Sequence, residues 1–188
     1  GLVPSLEDCL DSELFVQVAN AVANLRMAVD HLTILHQKRE QATRLSPASK
    51  CYWPVSEILE SVREMTRGEI SRTARLFIQC SPQLVVWADS TDLSRILMNL
   101  LTNSAHAIES AGIRDGEIRI RAAAEGDKVL IEVVDNGPGV PRRLASRIFD
   151  PAFTTRSDRG GSGLGLAICR ELVQANDGTV TLMEPPEN

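Results

Sequence analysis

Four short motifs, each suited to a different part of a bound nucleotide, follow one another along this chain. They are Asn99–Asn103 (NLLTN), Asp135–Gly139 (DNGPG), Phe149–Arg156 (FDPAFTTR) and Gly161–Leu166 (GSGLGL). Amide oxygens suit a metal ion, a carboxylate suits a base edge, hydroxyls and a guanidinium suit phosphate, and glycines expose backbone amides. Each motif alone is weak evidence. Together, in this order, they predict an ATP site, so the fold has to bring the four segments together.

Composition excludes several other classes of protein. The 188 residues carry 20 Lys and Arg against 25 Asp and Glu, a net charge of -5, which argues against a nucleic-acid partner. The four cysteines are too widely spaced for a zinc pattern or a disulfide framework. No apolar run approaches the roughly 18 residues of a membrane span. We therefore expect a cytoplasmic protein with reduced thiols, attached to a membrane only through parts of a longer parent chain.

The first quarter of the chain predicts one long helix. No Gly or Pro occurs from Leu6 to Leu45, and Ser46–Ser49 then breaks the pattern. Apolar residues in this helix alternate spacings of three and four, as in a heptad seam: Phe15, Val18, Val22, Leu25, Val29 and Leu32. Such a seam favours pairing with another helix, and a single amphipathic helix packed on its own domain is the alternative.

The remainder alternates helices and strands. Helices are predicted from Pro54 to about Gly68, from Thr91 to Glu109 and from Leu164 to Ala175. Strands are predicted at 50–53, 75–80, 84–88, 117–123, 128–134 and 179–183, the fourth and fifth forming a hairpin around Glu125–Asp127. This order indicates an α+β two-layer sandwich preceded by the long helix.

Asn99 and Asn103 are four residues apart in the second of these helices and share one face. Asparagine is a poor residue for a helix interior, and its amide oxygen is a hard ligand suited to Mg²⁺. A pair of buried amides satisfied by the backbone is the structural alternative. His106, one turn further on, is within reach of a phosphate.

Asp135 ends an apolar strand and begins a glycine-containing turn with Gly137 and Gly139. A carboxylate there can accept a hydrogen bond from an adenine amino group, while the glycines let a flat ring approach. In isolation the same residues read as an ordinary turn.

Gly161, Gly163 and Gly165 lead directly into a helix, where bare backbone N–H groups and the helix dipole can hold phosphates. A flexible loop is the alternative. Among the arginines before this segment, Arg156 follows Thr154 and Thr155 directly and is the best candidate for neutralising charge on the terminal phosphate.

From about Lys50 to the C-terminus the chain resembles the catalytic and ATP-binding domain of two-component sensor histidine kinases. That family lies within the gyrase, heat-shock-chaperone, histidine-kinase and MutL ATPase superfamily. The four motifs match its N-box, first glycine box, F-box and second glycine box, the last continuing to Ile168. The resemblance implies a Bergerat-type fold over 50–188, Mg²⁺ on Asn103, adenine on Asp135 and a lid that closes over the phosphates.

The resemblance makes the reaction a transfer of the ATP γ-phosphoryl group to a histidine, for relay to a response regulator. The catalytic residues are then Asn103 and Arg156. The expected ATP-binding residues are Asn99, Asn103, His106, Asp135, Gly137, Gly139, Phe149, Thr154, Thr155, Arg156, Gly161, Ser162, Gly163, Leu164, Gly165 and Leu166.

Residues 1–46 resemble part of the family's dimerisation and phosphoacceptor hairpin, which implies a homodimer through this helix. The family's acceptor histidine is normally followed by Glu or Asp, whereas His31, His36 and His106 are followed by Leu, Gln and Ala. We therefore expect a fragment whose acceptor lies outside this chain.

Two other functions stay open. Water-activating relatives carry Glu four residues before the metal-binding Asn, where this chain has Asn99. This predicts slow intrinsic hydrolysis and disfavours an ATPase or a protein-serine kinase of the same superfamily. A degenerate kinase that binds nucleotide as a switch is the remaining alternative.

Overall fold

Helices and strands alternate along the part of the chain that the structure, a computed structural model, describes: residues 50–154 and 163–183. The strands are β1 (Cys51–Pro54), β2 (Ala74–Cys80), β3 (Val85–Ala88), β4 (Gly116–Glu125) and β5 (Lys128–Asp135). The helices are α1 (Val55–Ile70), α2 (Ser90–Ser110) and α3 (Gly165–Ala175), with a 3₁₀ turn at Arg142–Leu144. The predicted helix over 6–45 and its heptad seam lie outside the described residues.

The strands form two small sheets. In the larger sheet β4 is central, pairing in parallel with β2 and antiparallel with β5. In the smaller sheet β1 pairs antiparallel with β3. The predicted hairpin between β4 and β5 is confirmed, and it closes in a two-residue turn, Gly126–Asp127, in which Gly126 has φ 62°. A short hairpin loop of this kind favours glycine at a position of positive φ.

Helices α1 and α2 cover one face of the larger sheet. The apolar residues of α1 recur at helical spacing, and Val55, Leu59 and Val62 are all fully buried or nearly so. They join a single core with the inward side chains of the other elements: Leu97, Leu101 and Ile108 from α2, Ile118 and Ile120 from β4, and Ile131 and Val133 from β5. The predicted α+β two-layer architecture is therefore confirmed.

Helix α2 is buried on a second side as well. Ile96 on α2 packs against Cys169 and Leu172 of α3 in a separate apolar cluster. Two hydrogen bonds of the Asn176 side chain also join the end of α3 to the start of α2. The Asn176 side chain, just after α3, accepts a hydrogen bond from the Asp89 amide at 2.8 Å and donates to the Asp92 carboxylate at 3.1 Å. Helix α3 is thus attached to the start of α2.

One predicted strand is wrong. Residues 179–183 have the alternating pattern of a strand but form none, and Leu182 and Met183 are exposed. A strand needs a hydrogen-bonding neighbour, and in the described part of the chain β5 pairs with β4 alone.

Over 50–154 and 163–183, no helix is both long and apolar enough to cross a membrane.

Replacing Asn176 with alanine should destabilise the fold by about 1–3 kcal/mol, because the Asp89 amide and the Asp92 carboxylate both lose a partner. Urea unfolding followed by circular dichroism measures the change. Gln174→Ala, at an exposed position on the last turn of α3, is the matched control and should change stability by less than about 0.5 kcal/mol. Equal stability of the Asn176 variant and the parent would show that these two hydrogen bonds do not stabilise the fold.

Candidate functional site

The two asparagines of α2 face the first residue of α3. The Asn99 amide nitrogen donates to the Gly165 carbonyl oxygen at 3.5 Å. A methyl group at Gly165 would lie 3.7 Å from Asn103 Nδ2 and 3.8 Å from Asn99 Oδ1. Asn99 is half-buried and Asn103 exposed. The structure thus brings the first motif against the last glycine of the fourth motif, with the Asn103 amide open to a ligand.

Asp135 is held on two sides at the end of β5. Its Oδ2 accepts a hydrogen bond from Ser104 Oγ at 2.9 Å, and its Oδ1 accepts one from the Gly137 amide at 2.9 Å. An ionised carboxylate has about four acceptor positions, so further acceptor capacity remains on both oxygens for a ligand. The carboxylate therefore has a fixed orientation before any ligand arrives.

Gly137 is required at its position by close packing. A Cβ there would lie 2.6 Å from Asp135 Oδ1 and 3.4 Å from the Ala107 Cβ. Gly139 has φ 70°, a conformation that favours glycine for a different reason. The second motif therefore lies directly against α2, with the backbone of Gly137 close to the Asp135 carboxylate.

Asn136, which sequence reasoning did not single out, anchors the same turn. Its Oδ1 accepts from the Glu117 amide and its Nδ2 donates to the Asp115 carbonyl, each at 2.8 Å. Glu117 is the second residue of β4, and Asp115 directly precedes the strand. These bonds hold the chain in place as it leaves β5, which keeps the turn beside Asp135 in register with the sheet.

The third motif is described only in part. Phe149 and Thr154 are half-buried, and Ile148 before them is buried. The Arg147 guanidinium lies 4.8 Å from the centroid of the Phe153 ring, within range of a cation–π contact. Thr155, Arg156, Gly161 and Ser162 lie outside the described residues, so their expected contacts with phosphate stay predictions.

The described end of the fourth motif leads into α3 as predicted. Gly163 has φ 68°, and Leu164 is the N-cap residue. The Leu164 side chain does not cap this helix, because leucine carries no acceptor. The N–H groups and the dipole at a helix start can serve an anion. Leu166, in the first turn, is half-buried.

His106 is at the other edge of the same helix face. Its Nε2 lies 3.4 Å from Glu69 Oε1 of α1, so an acidic side chain lies next to the ring that is predicted to contact phosphate. Sequence reasoning missed both Glu69 and Ser104. Ser104 directly follows Asn103 and is a small polar residue at a buried helix position, a signal that could have indicated a partner. Glu69 carried no such signal, because α1 brings it close only in the folded protein.

Cys169 of α3 lies fully buried beside Asn99. Burial raises the pKa of this thiol to about 11, although a hydrogen bond with the Asn99 side chain acts in the opposite direction. Its Sγ lies 3.7 Å from the Ile96 carbonyl oxygen. The thiol is therefore a neutral packing group at physiological pH, as expected for a reduced internal cysteine.

A two-layer fold with a fixed carboxylate, a glycine turn against it and paired amides facing a glycine-led helix defines a nucleotide-binding domain. The chain belongs to the histidine kinase-, DNA gyrase B- and HSP90-like ATPase family, whose profile matches residues 88–188. That match includes all four motifs, and the expected family resemblance is confirmed.

Similar proteins are sensor kinases. The chain is 37% identical over 126 residues to the alginate biosynthesis sensor protein KinB of Pseudomonas aeruginosa, covering 66% of this chain and 20% of the relative. It is 35% identical over 135 residues to the sensor protein KdpD of Escherichia coli, covering 71% and 14%. The chain therefore spans a fifth or less of the length of these two relatives.

Solved structures agree with this assignment. The catalytic domain of the histidine kinase ThkA matches with a TM-score of 0.58 and 30% identity over 68% of this chain and 81% of that domain. ThkA in complex with the response regulator TrrA matches with a TM-score of 0.56 and 27% identity, covering 80% of this chain and 43% of that one.

Gly137→Ala should destabilise the fold by about 1–3 kcal/mol, because the new methyl group would displace the Asp135 carboxylate. Gly165→Ala is the matched control. Its methyl group meets only ordinary contacts and lies in a helix, so its stability should equal or slightly exceed that of the parent. Urea unfolding of both variants measures the difference, and equal stabilities would show that the turn does not pack as described.

Stability should fall as the pH rises from 9.0 to about 11, because the unfolded Cys169 thiol ionises in this range while the folded thiol keeps its proton. The loss should be on the order of 2 kcal/mol by the top of the range. Urea unfolding at a series of pH values measures it. A Cys169→Ala variant, which has no thiol to titrate there, should show a shallower decline, and identical pH profiles would refute the assignment.

Proposed function

We propose that this chain binds ATP with Mg²⁺ and donates the γ-phosphoryl group to a histidine on a dimerisation domain, for relay to an aspartate of a response regulator. The observation that carries this proposal is that one helix, α2, both anchors the Asp135 carboxylate through Ser104 and presents Asn99 and Asn103 to the start of α3. The Gly137 amide, in the turn after β5, is the second donor to that carboxylate. One helix thus supports both ends of an extended nucleotide.

Asp135 is the proposed adenine contact. The carboxylate has its orientation set by two donors and keeps acceptor capacity for an exocyclic amino group. The bare Gly137 lies beside it, so a flat ring meets backbone rather than a side chain. Rigid, pre-oriented acceptors favour binding because little ordering has to accompany it.

Asn103 is the proposed Mg²⁺ ligand. Over residues 50–154 and 163–183, no group of three or more His, Cys, Asp or Glu side chains could hold a metal ion by itself. Mg²⁺ usually keeps several waters and takes its other ligands from one or two protein groups and from the phosphates of the nucleotide. The exposed amide oxygen of Asn103 fits the role of such a protein ligand. When bound, Mg²⁺ would neutralise charge on the phosphates. The donor set of this chain therefore fits a metal that arrives with the nucleotide.

The phosphates are proposed to lie at the start of α3. Gly165 begins that helix beside the two asparagines, and the N-cap residue Leu164 has no side-chain acceptor of its own. Thr154, Thr155, Arg156, Gly161, Ser162 and Gly163 are proposed to complete the contacts, with Arg156 neutralising the terminal phosphate. Phosphoryl transfer depends mainly on such positioning and charge neutralisation.

Transfer to a histidine is favoured over hydrolysis. Asn99 occupies the position at which water-activating members would carry a glutamate, and its amide donates to the Gly165 carbonyl. An amide cannot accept a proton from water as a carboxylate can. The chain therefore holds and orients the phosphates without supplying a base of its own at this position.

The expected partners follow from the same assignment. The complex of ThkA with TrrA supports a response regulator as partner. We also propose a homodimer through the helix predicted in residues 1–46 and no nucleic-acid partner, in line with the net charge of -5. We further propose that the domain acts in the cytoplasm, and that any membrane attachment is made by other parts of a parent chain.

The decisive experiment incubates the chain with γ-labelled ATP, Mg²⁺ and a separately purified dimerisation hairpin from the gene that encodes this chain. Label that is acid-labile and base-stable should appear on the hairpin. Asp135→Asn should lower ATP affinity about tenfold and reduce labelling at subsaturating ATP, because an acceptor oxygen is exchanged for a donor. Calorimetric titration measures the affinity.

Asp127→Asn, at an exposed position in the β4–β5 turn, is the matched control and should behave as the parent. ATP binding without labelled hairpin would favour the nucleotide switch, and release of labelled phosphate without transfer would favour an ATPase. No binding of ATP at all would refute the proposed function.

A further inference from the structure

Glu69, near the end of α1, contacts two side chains of α2 with its two carboxylate oxygens. Thr102 Oγ1 lies 3.4 Å from Oε2, and His106 Nε2 lies 3.4 Å from Oε1. Thr102 directly precedes Asn103, and His106 follows it by three residues. The carboxylate therefore bridges the turn of α2 that carries the proposed metal ligand.

The helical periodicity of α2 shows where this bridge lies. At about 100° per residue, His106 is rotated about 20° from Asn99 and about 60° from Asn103 around the helix axis. Thr102 lies about 40° further from Asn103, on the side where Glu69 is found. His106 therefore shares the face that carries the two asparagines, and Glu69 reaches it from the α1 edge of that face.

We propose that Glu69 is a positioning residue that orients the His106 ring for contact with the nucleotide phosphates. This inference rests on the proposed function, since it assumes that phosphates bind beside Asn103. It adds a residue of α1 to a site whose proposed members all lie in α2 or later in the chain.

The chemistry of imidazole gives the reason. A neutral ring carries one N–H, whereas the protonated ring carries two N–H donors and a positive charge. A carboxylate 3.4 Å from Nε2 can accept the N–H of that nitrogen, which fixes the direction in which the ring faces. Nδ1 then points away from the carboxylate, and a ring that carries a proton on both nitrogens can donate to a phosphate oxygen as well.

A purely structural role is the competing explanation. Glu69 could simply join α1 to α2, but the side chains of His106 and Glu69 are 29% and 49% exposed, and ion pairs of this kind contribute little to stability. The core between these helices is formed instead by buried residues such as Val62 and Leu101. The two roles differ in what they predict for ligand binding.

Calorimetric titration of ATP with Mg²⁺, and of adenosine, into the full chain distinguishes them. Glu69→Ala should weaken ATP binding about threefold, the effect expected for a partly exposed charge pair, and leave adenosine binding unchanged. The loss should vanish in a His106→Ala background, because the carboxylate then has no ring to orient. Glu69→Gln keeps the acceptor oxygen without the charge and should retain part of the affinity.

Glu64→Ala is the matched control, because Glu64 is an exposed residue of the same helix that pairs with Arg67. It should leave both affinities unchanged. The inference fails if Glu69→Ala binds ATP as the parent does, loses adenosine affinity equally, or shows the same ATP loss with His106 absent. If the parent binds adenosine and ATP, and Glu69→Ala binds both with the same affinities, this inference alone is overturned. If the parent binds neither ligand, the proposed function is overturned as well.

Discussion

The structure depends on the burial of α2 on two sides. One side packs against α1 and the larger sheet through residues such as Leu97 and Leu101, and another packs against α3 through Ile96. A helix held in this way has a fixed rotation about its axis, because turning it would expose apolar surface. The polar face that remains, with Asn99 and Asn103, is therefore presented in one direction, toward the start of α3.

Polar contacts then convert this rigid helix into a site. Ser104 of α2 and the Gly137 amide orient the Asp135 carboxylate, and Asn176 attaches the end of α3 to the beginning of α2. These bonds join segments far apart in the chain to one helix. A nucleotide spanning from Asp135 to α3 would thus meet groups that are already positioned, which lowers the entropy cost of binding and of reaction.

The helices and most strands were predictable, because their apolar residues follow the period of one regular element and end at a Gly, Pro or capping residue. The prediction of a strand at 179–183 was wrong, because a local sequence pattern does not show whether a neighbouring strand is present. Its local pattern was adequate, but a strand also needs a partner edge, which is a tertiary property. The candidate site was predictable as a set of motifs, yet Glu69 and Asn136 were not, because each acts through a residue distant in sequence.

By itself the sequence determined the α+β class, the order of the motifs and the asparagine pair at helical spacing. These follow from residue identity and local periodicity, which the linear chain contains completely. The tertiary structure alone decided that Ser104 holds Asp135, that Gly137 has no room for a side chain, and that Glu69 meets His106. Such contacts depend on how helices and sheet pack together, and packing distances are set by the whole core rather than by any one segment.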